Sequence, residues 1–423
     1  MPPTRPWSRM AAEPQAIVHA ALDRLAGGQR ALGIALSGGG DSTALMHLAA
    51  EWARPRGIVL RAATVDHGLR PGSAAEAEEA GRAARRLGIA HEVLRWTGPG
   101  GGNLMAQARA ARLELLAAWA GQQGIGAVAL GHTRDDQAET VLMRMLRGAG
   151  VDGLSGMAPA RRSHGILWLR PLLATGRAEL RDLLRQRGAT WTDDPTNDDP
   201  RYDRARLRQI MAALDLPAEA LARSADNLRA ARVALYHAAR EVARGFAADR
   251  GTLCLPRQAF ASAPAELQRR VIVAGLQWVA GAEHPPRHDA IAAVLGSLAQ
   301  DRQATLAGVI VSPVASAAGG LIRLTREPAA AAKAPVVTGD PAIWDRRWRL
   351  TGLPAGARVT TLPPGELPRF DWRAAGLTRA EAAASPAVCL PDGTWHAPVI
   401  EPGQGIGAVP LRGANDFLCP ESH

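Results

Sequence analysis

A chain of 423 residues with 47% hydrophobic content is long enough for about two or three cores, which excludes a single small domain. No apolar run approaches a membrane span, so no membrane partner is expected, and the polar start from Met1 to Pro14 lacks the apolar stretch of a secretory signal, which makes the cytoplasm the expected location. The formal charge of +10 favours a polyanionic partner such as nucleic acid; it is carried almost wholly by arginine, since Lys333 is the one lysine, and a GC-rich coding bias is the plainer source of that preference.

From Ala31 to about Thr192, short apolar runs alternate with helical stretches, the pattern of a parallel sheet with crossover helices. Strands are predicted at Ala31 to Leu36, Val59 to Val65, His91 to Trp96, Ala127 to Gly131 and Ile166 to Leu169. Helical spacing runs through Thr43 to Ala53, Ala74 to Leu87 and Met105 to Gln122. The expected fold class is α/β, a Rossmann-like open parallel sheet. Asp66 and His67 follow the second strand, and Gly131 and His132 the fourth; in such a sheet those positions lie at the carboxyl edge, where ligands bind.

A basic helix from Tyr202 to Leu214 closes an expected catalytic domain over residues 1–215. Residues 216–330 read as a mainly helical domain, with helices over Pro217 to Asp249, Pro264 to Gly281 and Arg287 to Gln300, then a hairpin made by Ala304 to Val311 and Gly320 to Leu324. The Ala/Pro-rich stretch Pro328 to Pro335 reads as a linker. Residues 331–423 read as a small β-rich module with strands at Ile343 to Leu350 and Ala357 to Leu362. Nothing in the sequence reports the oligomeric state.

The most informative stretch is Leu36 to Thr43, Leu-Ser-Gly-Gly-Gly-Asp-Ser-Thr, between a strand and a helix. Three adjacent glycines free the backbone so that successive N–H groups converge on a phosphate at the following helix N-terminus. Ser37, Gly38, Gly39, Gly40, Asp41 and Ser42 are the expected nucleotide-binding residues. An ordinary triphosphate loop carries Lys before its Ser/Thr; here Asp41 holds that place and puts a carboxylate where Mg²⁺ would sit. A bare glycine-rich turn is the plain alternative, and placement between strand and helix argues against it.

A second stretch, Leu130 to Met157, contains Gly-His-Thr-Arg-Asp-Asp-Gln-Ala-Glu-Thr. With a helix starting near Asp135, Asp136 and Glu139 share one face and His132 lies just before it. That pair suits a metal ion or a cationic substrate; an acidic helix cap is the competing explanation. Facing a phosphate loop that presents Asp41, the cluster is expected to position Mg²⁺ on ATP, with Asp41 and Asp136 as metal candidates. A third stretch, Trp191 to Arg208, crowds acids into a turn and arginines into the next helix, with Arg204 and Arg208 on one face and Arg206 roughly opposite.

These stretches together resemble the tRNA(Ile)-lysidine synthetases, within the larger family of PP-loop ATP pyrophosphatases. The matching pieces are Ser37 to Ser42, Val65 to Arg70, Asn103 to Arg109, Gly131 to Met157, Arg170 to Leu173 and Asp193 to Arg208. The PP-loop alone is shared by thiolases and amidotransferase synthetases, whereas His132 to Met157 with Asp194-Pro195-Thr196-Asn197 is far more specific. The resemblance implies ATP-dependent ligation of free L-lysine to the wobble cytidine of an isoleucine tRNA with a CAU anticodon, through an adenylated base. It implies that Asp136, Glu139 and Arg204 hold the lysine, and that catalysis rests on Asp41, His132, Asp136, Glu139 and Arg204. Ala205 stands where family members usually carry Asn.

Two other functions fit parts of the pattern. A base-thiolating PP-loop enzyme needs a persulfide or iron–sulfur cysteine near the nucleotide, but Cys254, Cys389 and Cys419 all lie beyond residue 250 and form no Cys-x-x-Cys pair. A nucleotide-dependent RNA-binding protein without chemistry explains the loop and the charge but gives the acidic cluster no task.

Overall fold

The computed structural model describes residues 13–68, 72–98, 104–192, 203–282, 284–316, 319–403 and 405–418, with the backbone alone at 104–106 and 203. The chain start through Ala12, Leu69 and Arg70, Asn103, the run Asp193 to Tyr202, and Cys419 lie outside the described residues. Residues 1–232 and 233–423 form two compact units.

In the first unit, helix α1 (Pro14–Leu25), begun by a proline at its first turn, precedes the first predicted strand. Then follow β1 (Ala31–Ala35), α2 (Gly40–Ala53), β2 (Val59–Asp66), α3 (Ser73–Arg86), β3 (Ala90–Arg95), α4 (Leu104–Gln122), β4 (Ala127–Leu130) and α5 (Arg134–Met145). After them come α6 (Val151–Leu154), β5 (Ala160–Ser163), β6 (Ile166–Leu169), α7 (Arg177–Gln186), α8 (Asp203–Ala213) and α9 (Ala218–Val242), which carries the boundary between the units.

The sheet order is β3-β2-β1-β4-β6-β5, parallel except for β5. Strand residues sort by parity: Ala127 and Ala129 join a core with α1, α2, α3 and α7, while Val128 and Leu130 join a core with α4 on the other face. Burial on both faces explains the near-continuous apolar runs of β1, β4 and β6, whereas β3, at the edge, is largely exposed. The strand order reverses between β1 and β4, so the loops leaving their carboxyl ends flank the crevice of an open α/β sheet.

The observed elements differ from the expected ones in five places, and tight turns at positive φ explain most of them. The strand β5 was not anticipated because Ala-Arg-Arg-Ser carries no apolar signal; it pairs with β6 across His164-Gly165, both at positive φ, the hairpin turn whose twist suits paired strands. The helix expected to reach Asp249 ends at Val242, and β7 (Ala247–Asp249) pairs with β8 (Thr252–Pro256) across Arg250-Gly251, again both at positive φ. Helices α10 (Arg257–Ser262), α11 (Ala265–Ala280) and α12 (His288–Ala299) follow. The expected strand Ala304 to Val311 is itself a hairpin, β9 (Ala304–Leu306) and β10 (Val309–Val314), turned at Ala307-Gly308, and β11 (Leu321–Arg326) adds on. The result is a five-stranded antiparallel sheet, β7-β8-β11-β10-β9, packed with α11 and α12, where a simple hairpin was expected.

The stretch expected as a linker opens instead with α13 (Pro328–Ala331), whose Ala331 is fully buried. The strand expected over Ile343 to Leu350 splits into β12 (Ala342–Trp344) and β13 (Trp348–Thr351). Asp345 and Arg346 make that turn at positive φ without a glycine, and the Asp345 carboxylate is held there by Arg326 at 2.9 Å and Arg347 at 2.7 Å. The remaining elements are β14 (Arg358–Thr361), α14 (Arg379–Ala383), β15 (Pro386–Cys389), β16 (Trp395–His396) and β17 (Gly407–Pro410). They form two three-stranded antiparallel sheets, β12-β13-β17 and β14-β15-β16, around buried Trp344, Trp348, Leu350 and Val359.

Candidate active site

The loop after β1 uses its glycines for different reasons. Gly38 sits at φ +81°, which only glycine adopts without strain. Gly39 is the extended residue before α2, and Gly40 is the first helical residue. Gly40 is small for space: a Cβ there would lie 3.3 Å from Trp191. Asp41 and Ser42 thus fall in the first turn of α2, where backbone N–H groups have no intrahelical partner and face any anion in front of them.

The Ser42 hydroxyl organises the loop. It donates to the Gly39 carbonyl at 3.0 Å, accepts from the Ser37 N–H at 3.1 Å, and lies 3.0 Å from the Ser37 hydroxyl. The loop also rests on Gly131 at the end of β4, where an added Cβ would meet the Ser42 N and Cα at 3.0 Å. Gly131→Ala is therefore expected to push the loop out of shape and weaken nucleotide binding by about tenfold, with a loss of about 1–3 kcal/mol in stability. Wild-type nucleotide affinity in this variant, measured by titration calorimetry, would show that the close approach carries no function.

Across the crevice, Thr133 caps α5. Its N–H and hydroxyl reach Asp136 Oδ2 at 2.8 and 3.0 Å, a reciprocal capping box. The helix starts at Arg134, one residue before the expected Asp135, and the capping role falls to Asp136 alone. Glu139 takes no part in the cap. One turn deeper and 1% exposed, it meets Arg208 at 2.6 Å, Arg177 at 3.7 Å and Arg204 at 4.0 Å.

Arg177 joins the elements. Its Nε donates to Asp41 Oδ2 at 3.1 Å and its Nη2 to Asp136 Oδ1 at 3.1 Å, so one guanidinium binds carboxylates from the phosphate loop and from α5. Its own backbone N–H is fixed on Asp135 Oδ2 at 2.8 Å. Burial pushes the Asp41 carboxyl up, more than Arg177 pulls it down. Burial also opposes ionisation of Asp136, but Arg177, the Thr133 amide and Arg204 outweigh it and hold this carboxyl below its ordinary value. Two buried oxygens, Asp41 Oδ1 and Glu139 Oε2, have no hydrogen-bond partner among the described residues.

His132 follows β4. Arg170, after β6, donates its Nε–H to His132 Nδ1 at 3.2 Å, so the ring proton sits on Nε2. Burial and then Arg170 lower this histidine to about 3. It is a neutral hydrogen-bond donor throughout the working pH range. The native value lies below the ordinary 6.5, so the unfolded chain binds a proton that the native one refuses, and stability falls as pH drops from 6.5 toward 3. His132→Gln should flatten that part of the urea-unfolding stability profile; an unchanged slope between pH 7 and pH 5 would contradict the assignment.

The structure therefore brings together Asp41, Asp136, Glu139 and Arg204, and places His132 on Arg170. Asp66 is occupied by its own turn, accepting from the Gly68 N–H at 2.9 Å, and His67 packs edge-on against Trp96. Arg204 and Arg208 share the face of α8 that meets Glu139, as their spacing predicts. Ala205, beside them, is buried. Arg177 and the link from Arg170 to His132 escaped the sequence reading. A signal existed for Arg177: an arginine at the first position of a helix opposes the helix dipole and calls for a reason.

The family profile of the PP-loop domain matches residues 12–214, and the first unit is accordingly a PP-loop, ATP-binding domain. Most of the chain is similar to curated relatives named tRNA(Ile)-lysidine synthase. That of Ruegeria pomeroyi is 43% identical over 92% of this chain and 93% of its own length. That of a Bradyrhizobium species is 42% identical over 72% of this chain and 90% of its own. Hyphomonas neptunium supplies one at 39% identity over 66% and 77%. The chain belongs to the tRNA(Ile)-lysidine synthase family.

Proposed function

We propose that this chain ligates free L-lysine to C2 of the wobble cytidine of tRNA(Ile) bearing a CAU anticodon, consuming ATP and releasing AMP and pyrophosphate. The product decodes AUA in place of AUG and is charged with isoleucine in place of methionine. Beyond family membership, the reading is supported by a single observation: carboxylates of the phosphate loop and of α5 converge on one guanidinium, so a nucleotide and a cationic amine would meet in the same crevice.

In the first step the cytosine 2-oxygen attacks the α-phosphate; the O–P bond forms and pyrophosphate leaves. In the second, lysine's ε-amine attacks C2, the C–O bond breaks and AMP leaves. The first-turn N–H groups of α2 bind phosphate oxygens, and the Nε2–H of His132 donates to charge that develops on the reacting phosphate. Asp136 and Glu139 bind the amines of lysine, and Arg204 its carboxylate.

The donor set fits Mg²⁺ shared with phosphates, which needs only one or two carboxylates: Asp41 has an unengaged buried oxygen, and Asp136 Oδ1 is held only by arginines. When bound, the ion offsets charge on the departing pyrophosphate. We assign catalysis to residues 1–215 and grip on the tRNA body to residues 216–330 and 331–423, in the cytoplasm. Among the described residues no helix is long and apolar enough to cross a membrane.

Radiolabelled lysine incubated with ATP, Mg²⁺ and the unmodified CAU tRNA should become bound to the RNA in acid-stable form at the wobble cytidine. Pyrophosphate release without retained lysine would mean that another nucleophile is used.

A further inference from the structure

We propose that Arg177 is a positioning residue that occupies the amine site in the absence of nucleotide and leaves it when ATP binds, so that ATP opens the site for lysine. The proposal rests on the ligase reading above. Its basis is charge balance. Asp41, Asp136 and Glu139 already meet Arg177, Arg204 and Arg208, with Asp135 beside Asp41 and Arg109 beside Arg204, so carboxylates and guanidiniums are matched about one for one. An incoming ammonium adds an unmatched positive charge where Glu139 is 1% exposed, so a resident cation must withdraw.

Arg177 is placed to withdraw toward the phosphates. Arg208 is fixed on Glu139 at 2.6 Å; Arg204, 4.0 Å from Asp136 and Glu139, is loosely held but makes no contact with the loop and is left for lysine's carboxylate; Arg177, 3.7 Å from Glu139, is the one that also reaches Asp41. Asp41 is in the first turn of α2, so a guanidinium bonded to it lies beside the phosphate loop. A phosphate offers that planar fork a bidentate partner at least as good as the carboxylates it gives up. The backbone of Arg177 is pinned by Asp135, so the change is a side-chain rotation. Glu139 Oε2, buried and without a hydrogen-bond partner among the described residues, is an acceptor waiting for a donor, and an ammonium brings three.

The consequence is thermodynamic coupling. ATP favours the state with Arg177 on phosphate, lysine favours the same state, and each tightens the other by an equal factor. Equilibrium dialysis of labelled lysine against the full chain, without tRNA, reads this directly. A non-hydrolysable ATP analogue with Mg²⁺ should tighten lysine binding about tenfold. In Arg177→Gln, lysine should bind as tightly without the analogue as with it, and Arg177→Lys should keep part of the coupling and serve if the glutamine variant folds poorly.

Equal coupling in wild type and both variants, or none in wild type, overturns the proposal. The label-transfer assay separates the two levels: lysine transfer to tRNA with no coupling sinks the role of Arg177 alone, while absence of both transfer and lysine binding sinks the ligase reading with it.

Discussion

Asp41→Asn is expected to lower the rate of tRNA-dependent pyrophosphate release by about 10³-fold while leaving the fold intact. The carboxylate is costly to keep ionised: burial pushes it up, and one buried oxygen lacks a partner among the described residues. A group held under strain of that kind contributes little to stability, so the melting temperature should stay the same or rise. Arg177 retains Asp136 at 3.1 Å in the variant, which preserves the link between α5 and α7. Pyrophosphate release at wild-type rate would remove Asp41 from the adenylation step.

Glu139→Gln has the opposite profile. The side chain is 1% exposed and meets the part-exposed Arg208 at 2.6 Å, so the amide would give up the charge-assisted half of that contact. A loss of about 1.5–3 kcal/mol in urea unfolding follows from removing a charge-assisted contact of a buried carboxylate with part-exposed guanidiniums. Lysine KM should rise at least about tenfold, since a charge-assisted bond to the amine is lost, whereas adenylation per folded molecule should change little. A variant with unaltered lysine KM would place the amine elsewhere.

Much of the site was legible because its chemistry is local in sequence. Ser37 to Ser42 lies between a strand and a helix that both follow from apolar periodicity, and Asp136 and Glu139 share a face by helical spacing alone. The contacts that tie these pieces together were not legible. Arg177 is 136 residues from Asp41 and 41 from Asp136, and no short-range pattern pairs them. The tautomer of His132 depends on Arg170, 38 residues away.

In the fold, strands with strong apolar runs were readable, while β5, β7 and the splits at Ala307-Gly308 and Asp345-Arg346 were not. Those features depend on turns with positive φ at two successive residues. Where the second residue is glycine, as at His164-Gly165, a signal was present but weak; Asp345-Arg346 carries none, because distant Arg326 holds the turn.

One crevice should adenylate the tRNA and then deliver an amine. Incubating the protein with α-phosphate-labelled ATP, Mg²⁺ and CAU tRNA without lysine, followed by a lysine chase, tests it most directly. Label is expected on the wobble cytidine before the chase, with its release as AMP after lysine is added. RNA that never acquires the α-phosphate, or an adenylated RNA indifferent to lysine, would contradict it.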